Sequence, residues 1–246
     1  MIELNKIYNE DCLEGMRRIS DKSVDMILCD LPYGTTACKW DTIIPFEPLW
    51  EQYKRVIKDN GAIVLTAVQP FTSNLIVSNL DMFRYSWVWE KTMATGGFLA
   101  KKRPLRAHED VCVFYKNQPT YNQQKLLGEP YTRKEGVKKN SVIGNREGGY
   151  ITVNKGGRSP RSVIKIPNPN RGSMHPTQKP VPLFEYLIKT YTNEGETVLD
   201  NCMGSGTTAI ACINTNRNFI GFELDETYFD LANERINKHN ENLEHS

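Results

Sequence analysis

Residues 196–215 read ETVLDNCMGSGTTAIACINT. A short β-branched and aliphatic run ends in Asp200, Gly204 and Gly206 follow, and Thr207 onward carries apolar residues at helical spacing. Strand, glycine turn and helix in so few residues form the unit of a parallel sheet, because a helix must return the chain across one face before the next strand begins. NFIGFEL (218–224) is that next strand, and DETYFDLANERINKHN (225–240) is the helix after it, opening on an Asp able to cap it.

The same alternation recurs earlier in the chain. NKIYNED (5–11), SVDMILCD (23–30), GAIVLTA (61–67), YSWVWEK (85–91) and DVCVFYK (110–116) are strand-like, while FEPLWEQYKRVIK (46–58) and PLFEYLIKTY (182–191) have helical periodicity. Phe83, Tyr85, Trp87 and Trp89 alternate at strand period and read as core and sheet surface. The expected fold is α/β, a doubly wound, mostly parallel seven-stranded sheet with helices on both faces. In such sheets ligands lie at the carboxyl ends of the strands.

The 246 residues are 39% hydrophobic and 24% charged, enough for one α/β core plus an inserted piece. No run approaches the ~20 apolar residues of a membrane span, and MIELNKIYNEDC lacks the basic and apolar regions of a signal peptide. A cytoplasmic protein without membrane contact is expected. The six cysteines, 12, 29, 38, 112, 202 and 212, are scattered without a C-x-x-C pair, so they read as reduced thiols, with no disulfide framework and no metal site.

The net charge of +2 conceals a separation of sign. Residues 101–180 hold 17 Lys and Arg against 5 Asp and Glu, and the rest of the chain holds 14 against 24. A basic face of that strength favours a polyanion, above all nucleic acid. Within it, residues 119–171 are rich in Asn, Gly, Pro and Arg with little periodicity. They read as an irregular insertion of loops and short strands, around GYITVNK (149–155) and RSVIKIP (161–167), in a domain formed by 1–118 and 172–246.

Two strands end conspicuously. After TVLD, Gly204, Gly206 and Ala209 fit G-x-G-x-x-A, and Glu223 closes the next strand. A dinucleotide is one reading of that loop. Asp200 and Asn201 argue otherwise, since a carboxylate there repels pyrophosphate but suits a ligand with an ammonium and a sulfonium, such as S-adenosylmethionine, with Glu223 on its ribose. No Lys follows the second glycine, which excludes a phosphate-binding Walker loop.

The other strand runs VDMILCDLPYGTT (24–36). Ending a buried strand in Asp30, Leu31, Pro32 and Tyr33 suits alkylation of a nucleobase amine. The lone pair of that amine is delocalised into the ring, so its two N–H bonds need acceptors for the nitrogen to pyramidalise. The Asp30 carboxylate and the Leu31 carbonyl provide two, Pro32 holds that carbonyl rigid, and Tyr33 offers a stacking face. Stacking is worth about 1–3 kcal/mol per base, against the few kcal/mol needed to extrude one.

DLPYG resembles the catalytic tetrad of DNA amino-methyltransferases, usually Asp-Pro-Pro-Tyr. HPTQKPVPLFEYLIKTYTNEGETVLDNCMGSGTTAIAC (175–212) resembles their cofactor block, and GFELDETYFDLA (221–232) the strand and helix beyond it. The likeness covers nearly the whole chain outside about 120–170, and the tetrad precedes the cofactor loop, the permuted order of the beta group. Glutamine methyltransferases with a similar tetrad place the loop first.

The resemblance implies methyl transfer from S-adenosylmethionine to adenine N6 in double-stranded DNA after base flipping, without a covalent intermediate. It implies catalytic roles for Asp30, Leu31, Pro32 and Tyr33, and cofactor contacts from Asp30, Asp200, Asn201, Cys202, Met203, Gly204, Ser205, Gly206, Thr207 and Glu223. Asp11 and Cys12, at the end of the first strand, match the position near the cofactor adenine, and Thr177, Gln178 and Lys179 the block near its methionine moiety. Leu31 stands where the family more often has proline. Asp at the first tetrad position favours adenine, with cytosine N4 as the alternative; a DNA-binding protein with an idle methyltransferase core is more distant.

The cations expected on DNA are Lys39, Lys101, Lys102, Arg103, Arg106, Arg133, Lys138, Lys139, Arg146, Arg158 and Arg161. TGGFLAKKRPLR (95–106) combines flexible glycines, Phe98 and cations, as a loop touching phosphates would, and Lys39 with Trp40 suits closure over a flipped base. His108 and Glu109 read as structural, because direct methyl transfer needs no strong general base. A companion restriction nuclease, the recognition sequence and the choice of monomer or homodimer are open at this stage.

Overall fold

The structure, a computed structural model, describes residues 2–35, 38, 41–134, 151–168 and 178–244. It contains two compact units, Met1–Asn122 with Ser162–Ser246, and Gln123–Arg161.

The larger unit is built on one sheet of eight strands. In chain order these are β1 (Lys6–Asn9), β2 (Val24–Asp30), β3 (Ile57–Ala67), β4 (Phe83–Thr95), β5 (Arg106–Phe114), β10 (Val163–Lys165), β11 (Thr197–Asp200) and β12 (Asn218–Glu223). Their spatial order is β1-β12-β11-β2-β3-β5-β4-β10, and every neighbouring pair is parallel except those made by β5. Seven strands were expected. The eighth, β10, lies inside the segment read as an insertion, yet it pairs with β4 and its Ile164 is buried in the main core.

Alternation along each strand divides the core into two layers. Met26, Leu28, Val64 and Val198 point to the face covered by α4 (Val181–Tyr191), α5 (Thr207–Asn214) and α6 (Glu226–Glu244). Ile27, Cys29, Ile63, Leu65 and Leu199 point the other way, onto α1 (Cys12–Met16), α2 (Phe46–Val56) and α3 (Phe71–Ser78). A strand buried on both faces must be apolar throughout, which is why VDMILC and AIVLTA read as near-continuous hydrophobic runs. Trp87 and Trp89 are core, their indole N–H groups donating to Tyr191 Oη at 2.7 Å and the Ile166 carbonyl at 2.9 Å.

Two local expectations change. Asp11 does not end β1; it caps α1, its Oδ1 accepting from the backbone N–H of Leu13 at 2.8 Å and Glu14 at 3.2 Å, with Cys12 as the first helical residue. Likewise α2 stops at Val56, because the β-branched Ile57 already belongs to β3 and pairs with Val24.

The smaller unit holds two antiparallel ladders. One joins β6 (Leu126–Leu127) to β9 (Gly157–Arg158), the other β7 (Tyr131–Lys134) to β8 (Ile151–Asn154). Arg158 is tied into this unit, its guanidinium 4.7 Å from the Tyr131 ring centroid and donating to Asn154 Oδ1 at 2.5 Å and to the Glu129 carbonyl. No helix among the described residues is long and apolar enough to cross a membrane.

Candidate active site

Parallel strands deliver their carboxyl ends to one edge of the sheet, and here those ends are Asp30, Asp200 and Glu223. The antiparallel β5 enters from that edge, so it contributes its first residues, Arg106 to Asp110, instead of its last. A cavity of about 1670 Å³ opens there, lined by both groups. Ligand pockets run about 300–1,000 Å³, so this one has room for more than one occupant.

At one end lies the glycine loop. Asp200 is buried, and its oxygens are taken by the loop itself: Oδ1 accepts from Cys202 N–H at 3.0 Å, and Oδ2 from the Thr208 hydroxyl. Burial pushes its carboxyl up to about 6 despite those bonds. Gly206 (φ 80°) and Gly204 (φ 53°) take left-handed conformations that side chains resist, and this bend turns the Gly204 N–H onto Glu223 Oε2 at 2.7 Å. Glu223 Oε1 accepts from Asp225 N–H at 2.9 Å, and burial raises the Glu223 carboxyl against these bonds. Asn201 is buried beside the loop, accepting from Tyr53 Oη at 2.5 Å and directing Nδ2 at the sulfurs of Cys12 and Cys202.

At the other end lies the tetrad. Asp30 Oδ1 accepts from the Tyr33 hydroxyl at 2.5 Å and from the Thr66 hydroxyl, which β3 pairing sets opposite Asp30. Oδ2 accepts from the Lys179 ammonium at 2.6 Å. Leu31 is buried in the core and anchors the turn by its side chain. The ring of Tyr33 packs on Phe71, centroids 5.2 Å apart; burial first, and then the Asp30 charge, drive its hydroxyl pKa well up.

Two residues that the sequence did not single out, Asp41 and Lys91, and one that it read as structural, Glu109, complete this end. Asp41, buried in the loop after the tetrad, accepts the N–H of Tyr33 (2.7 Å) and Gly34 (2.8 Å) on Oδ1 and of Thr35 (2.8 Å) on Oδ2. Three consecutive amides on one carboxylate hold the tetrad's backbone still. Glu109, read from sequence as structural, pairs with Lys179 at 3.3 Å and with Lys91, so Asp30, Lys179, Glu109 and Lys91 form a chain of alternating charge. The only sequence signal for Glu109 was its place at the start of a strand, and it matters because that strand runs antiparallel.

Gln178 lies at the cofactor loop, accepting from the Ser205 hydroxyl at 3.4 Å, whereas Lys179 turns its ammonium to the tetrad and only its carbonyl toward Thr207 (3.5 Å). Lys101, Lys102 and Arg103 are exposed and Arg106 is half-buried, and of these Arg103 and Arg106 line the cavity; in the smaller unit Arg133 and Arg161 are exposed. Lys39, Trp40, Lys138, Lys139, Arg146 and Thr177 lie outside the described residues.

The loop end suits S-adenosylmethionine. Asp11, Glu223 and Asp225 line it, carboxylates fit to face a cation and a ribose diol, and a Cβ at Gly204 would meet nothing within 4 Å, so the backbone there is open to a ligand.

The comparisons with known proteins agree with this geometry. A profile described as "DNA methylase", of N6 and N4 type, matches residues 24–234. The chain is 29% identical to the type II methyltransferase M1.MboII of Moraxella bovis, over 97% of this chain and 98% of that one. It is 31% identical to M.BglII of Bacillus subtilis, covering 93% and 68%. The crystal structure of the M1.HpyAVI complex with S-adenosylmethionine superposes with a TM-score of 0.63 at 25% identity, covering 94% and 98%. The cytosine-N4-specific PvuII methyltransferase shares the fold, with a TM-score of 0.67 at 15% identity, covering 92% and 84%. With Asp30 to Tyr33 and the glycine loop lining one cavity, the chain belongs to the N6/N4 family of S-adenosylmethionine-dependent DNA methyltransferases.

Proposed function

We propose that this DNA methyltransferase modifies N6 of adenine within a short recognition sequence of duplex DNA, acting in the cytoplasm on a base turned out of the helix. The observation that carries the reading is the joint lining of one cavity by Asp30 to Tyr33 and by the glycine loop with Glu223. Bound S-adenosylmethionine supplies a methyl group made electrophilic by its sulfonium.

What the chain does is prepare the amine. Asp30 and the Leu31 carbonyl accept its two N–H bonds, drawing the lone pair out of conjugation. Oδ1 of Asp30 already receives two hydroxyls while Oδ2 receives one ammonium proton, so Oδ2 has the spare lone pair. Lys179 fixes the Asp30 side chain by their ion pair, and Asp41 keeps the Tyr33–Thr35 backbone from drifting. Tyr33 gives the base a face to stack on. Pro32 leaves no competing amide donor beside the Leu31 carbonyl.

At the other end, Glu223 takes the ribose hydroxyls, Gly204 to Thr207 line the cofactor, and Asp11, Cys12 and Gln178 flank it. Asp200, Asn201 and Cys202 support it by shaping the loop. We assign DNA contacts to Lys101, Lys102, Arg103, Arg106, Arg133 and Arg161, and target recognition to the 119–171 segment.

Cytosine N4 is the second reading. It presents the same NH2 beside a ring nitrogen, and an N4-specific enzyme shares the fold. Expression in a host lacking DNA methylation, followed by sequencing of modified bases, tests both: N6-methyladenine in one motif supports the proposal, N4-methylcytosine replaces it with the second reading, and unmodified DNA overturns both. Asp30→Ala should abolish the mark while the protein still binds S-adenosylmethionine.

A further inference from the structure

Tyr33 is half-buried against Phe71 and forms part of the cavity wall, so it receives a base that has already left the helix. Something else must occupy the space that base vacates. One residue on the cavity rim is built unlike its surroundings: Phe98 is 89% exposed, the most exposed aromatic side chain among the described residues.

Its position follows from the strand pairing. β4 and β5 extend past the sheet edge as far as the Thr95–Arg106 pair, and the chain between them turns back through a short 3-10 turn at Gly97–Leu99. Gly96 is left-handed (φ 88°), and a Cβ at Gly96 or Gly97 would meet nothing within 4 Å. The tip therefore stands clear of the protein, and Phe98 gains nothing from folding by being there. Lys101, Lys102 and Arg103, all exposed, follow within five residues. An apolar ring flanked by cations matches the chemistry of a duplex, whose stacked bases are apolar and whose edges are phosphates. Arg103 and Leu105 share the rim of the cavity that Asp30 and Tyr33 line, so the tip stands beside the pocket that receives the base.

We infer that Phe98 is a wedge, entering the base stack to fill the gap left by the extruded nucleotide while Lys101, Lys102 and Arg103 hold the flanking phosphates. The inference rests on the DNA base-flipping reading above and adds to it the group that stabilises the opened duplex. Two aromatic surfaces then divide the work: Tyr33 holds the base outside the helix, and Phe98 keeps it from returning.

The test uses the full chain with sinefungin and a short duplex carrying the methylated motif, with 2-aminopurine at the target position. Its fluorescence rises when the base unstacks. Wild type should raise the signal, and Phe98→Ala should lower that rise by about fivefold or more, whereas Phe98→Leu, which keeps bulk, should retain most of it. Placing 2-aminopurine opposite an abasic site, where no pairing opposes extrusion, should restore the signal of Phe98→Ala. Because Phe98 is exposed, the alanine variant should bind S-adenosylmethionine as wild type does.

A wild-type fluorescence rise with Phe98→Ala overturns the wedge and leaves the methyltransferase reading intact. So does a loss that the abasic duplex fails to restore, which would make Phe98 an ordinary binding contact. If wild type methylates no DNA at all, the underlying reading fails and the wedge with it.

Discussion

The ammonium of Lys179 donates to Asp30 Oδ2 at 2.6 Å, joining two residues 149 positions apart in the chain. Burial opposes charge on Lys179, but Asp30 and then Glu109 outweigh it and hold its pKa above the ordinary value, so the ammonium stays charged at every working pH. Removing one partner of a buried pair leaves the others uncompensated, at a cost of about 3–5 kcal/mol. Lys179→Met should therefore lower both stability and single-turnover methylation. Adding Glu109→Gln should recover part of the stability but not the rate. Thermal melting alongside rapid-quench kinetics separates the two; recovery of the rate would show that Lys179 acts only structurally.

Tyr33 combines a ring that can stack with a hydroxyl that donates to Asp30. Tyr33→Phe keeps the ring, so its single-turnover rate should fall by about fivefold, the scale of one lost hydrogen bond near 1 kcal/mol. Tyr33→Ala also loses about 1–3 kcal/mol of stacking and should fall further and bind DNA with 2-aminopurine unstacked less often. Equal rates for the two variants would remove stacking from the account.

Asp41 accepts three successive amides of the tetrad turn. Three part-buried hydrogen bonds at about 0.5–1.5 kcal/mol each put Asp41→Ala among the more destabilising single changes outside the core. Asp41→Asn keeps one acceptor oxygen and should fall between. Both should reduce kcat more than cofactor affinity, as measured by calorimetric titration with S-adenosylhomocysteine; a wild-type kcat in Asp41→Ala would mean that the turn holds its geometry without this residue.

Glu223 bonds the loop through Gly204 and Asp225 and is the residue we place on the ribose. Glu223→Gln can still accept one backbone N–H but loses the charge, and cofactor affinity should weaken by about tenfold or more, with DNA affinity little changed. Unaltered S-adenosylmethionine binding in this variant would move the ribose contact elsewhere.

Asp200 carries a pH dependence whose sign can be worked out. Burial lifts its carboxyl from 3.8 to about 6, so the folded state holds a proton that the unfolded chain has already released. Stability from this residue is greatest below its unfolded value and declines as pH rises toward 6, by up to about 3 kcal/mol. Asp200→Asn cannot ionise and should remove that decline. Melting temperatures of the two proteins between pH 4 and 8 should converge at the acid end relative to their separation at neutral pH; parallel curves would contradict the shift.

The sequence by itself determined the α/β class, the parallel strand-loop-helix units and the two strand ends that line one cavity. Those signals are local: VDMILC and AIVLTA are apolar throughout because both faces are covered, and Gly204 and Gly206 mark left-handed turns that other residues resist. Position in the chain also brought DLPYG and the glycine loop into one hypothesis. What it did not contain was partnership across long separations. That β10 would leave the supposed insertion for the main sheet, that Lys179 would face Asp30 and not the cofactor loop, and that Glu109 would enter the site all depend on which strands lie side by side and in which direction. Asp41 is the nearest case, only eight residues beyond Tyr33, yet it was invisible because an aspartate becomes a backbone clamp only once the turn has bent three amides toward it. Periodicity records which face a residue buries; which charges meet there is set by packing, and only the tertiary structure decided it.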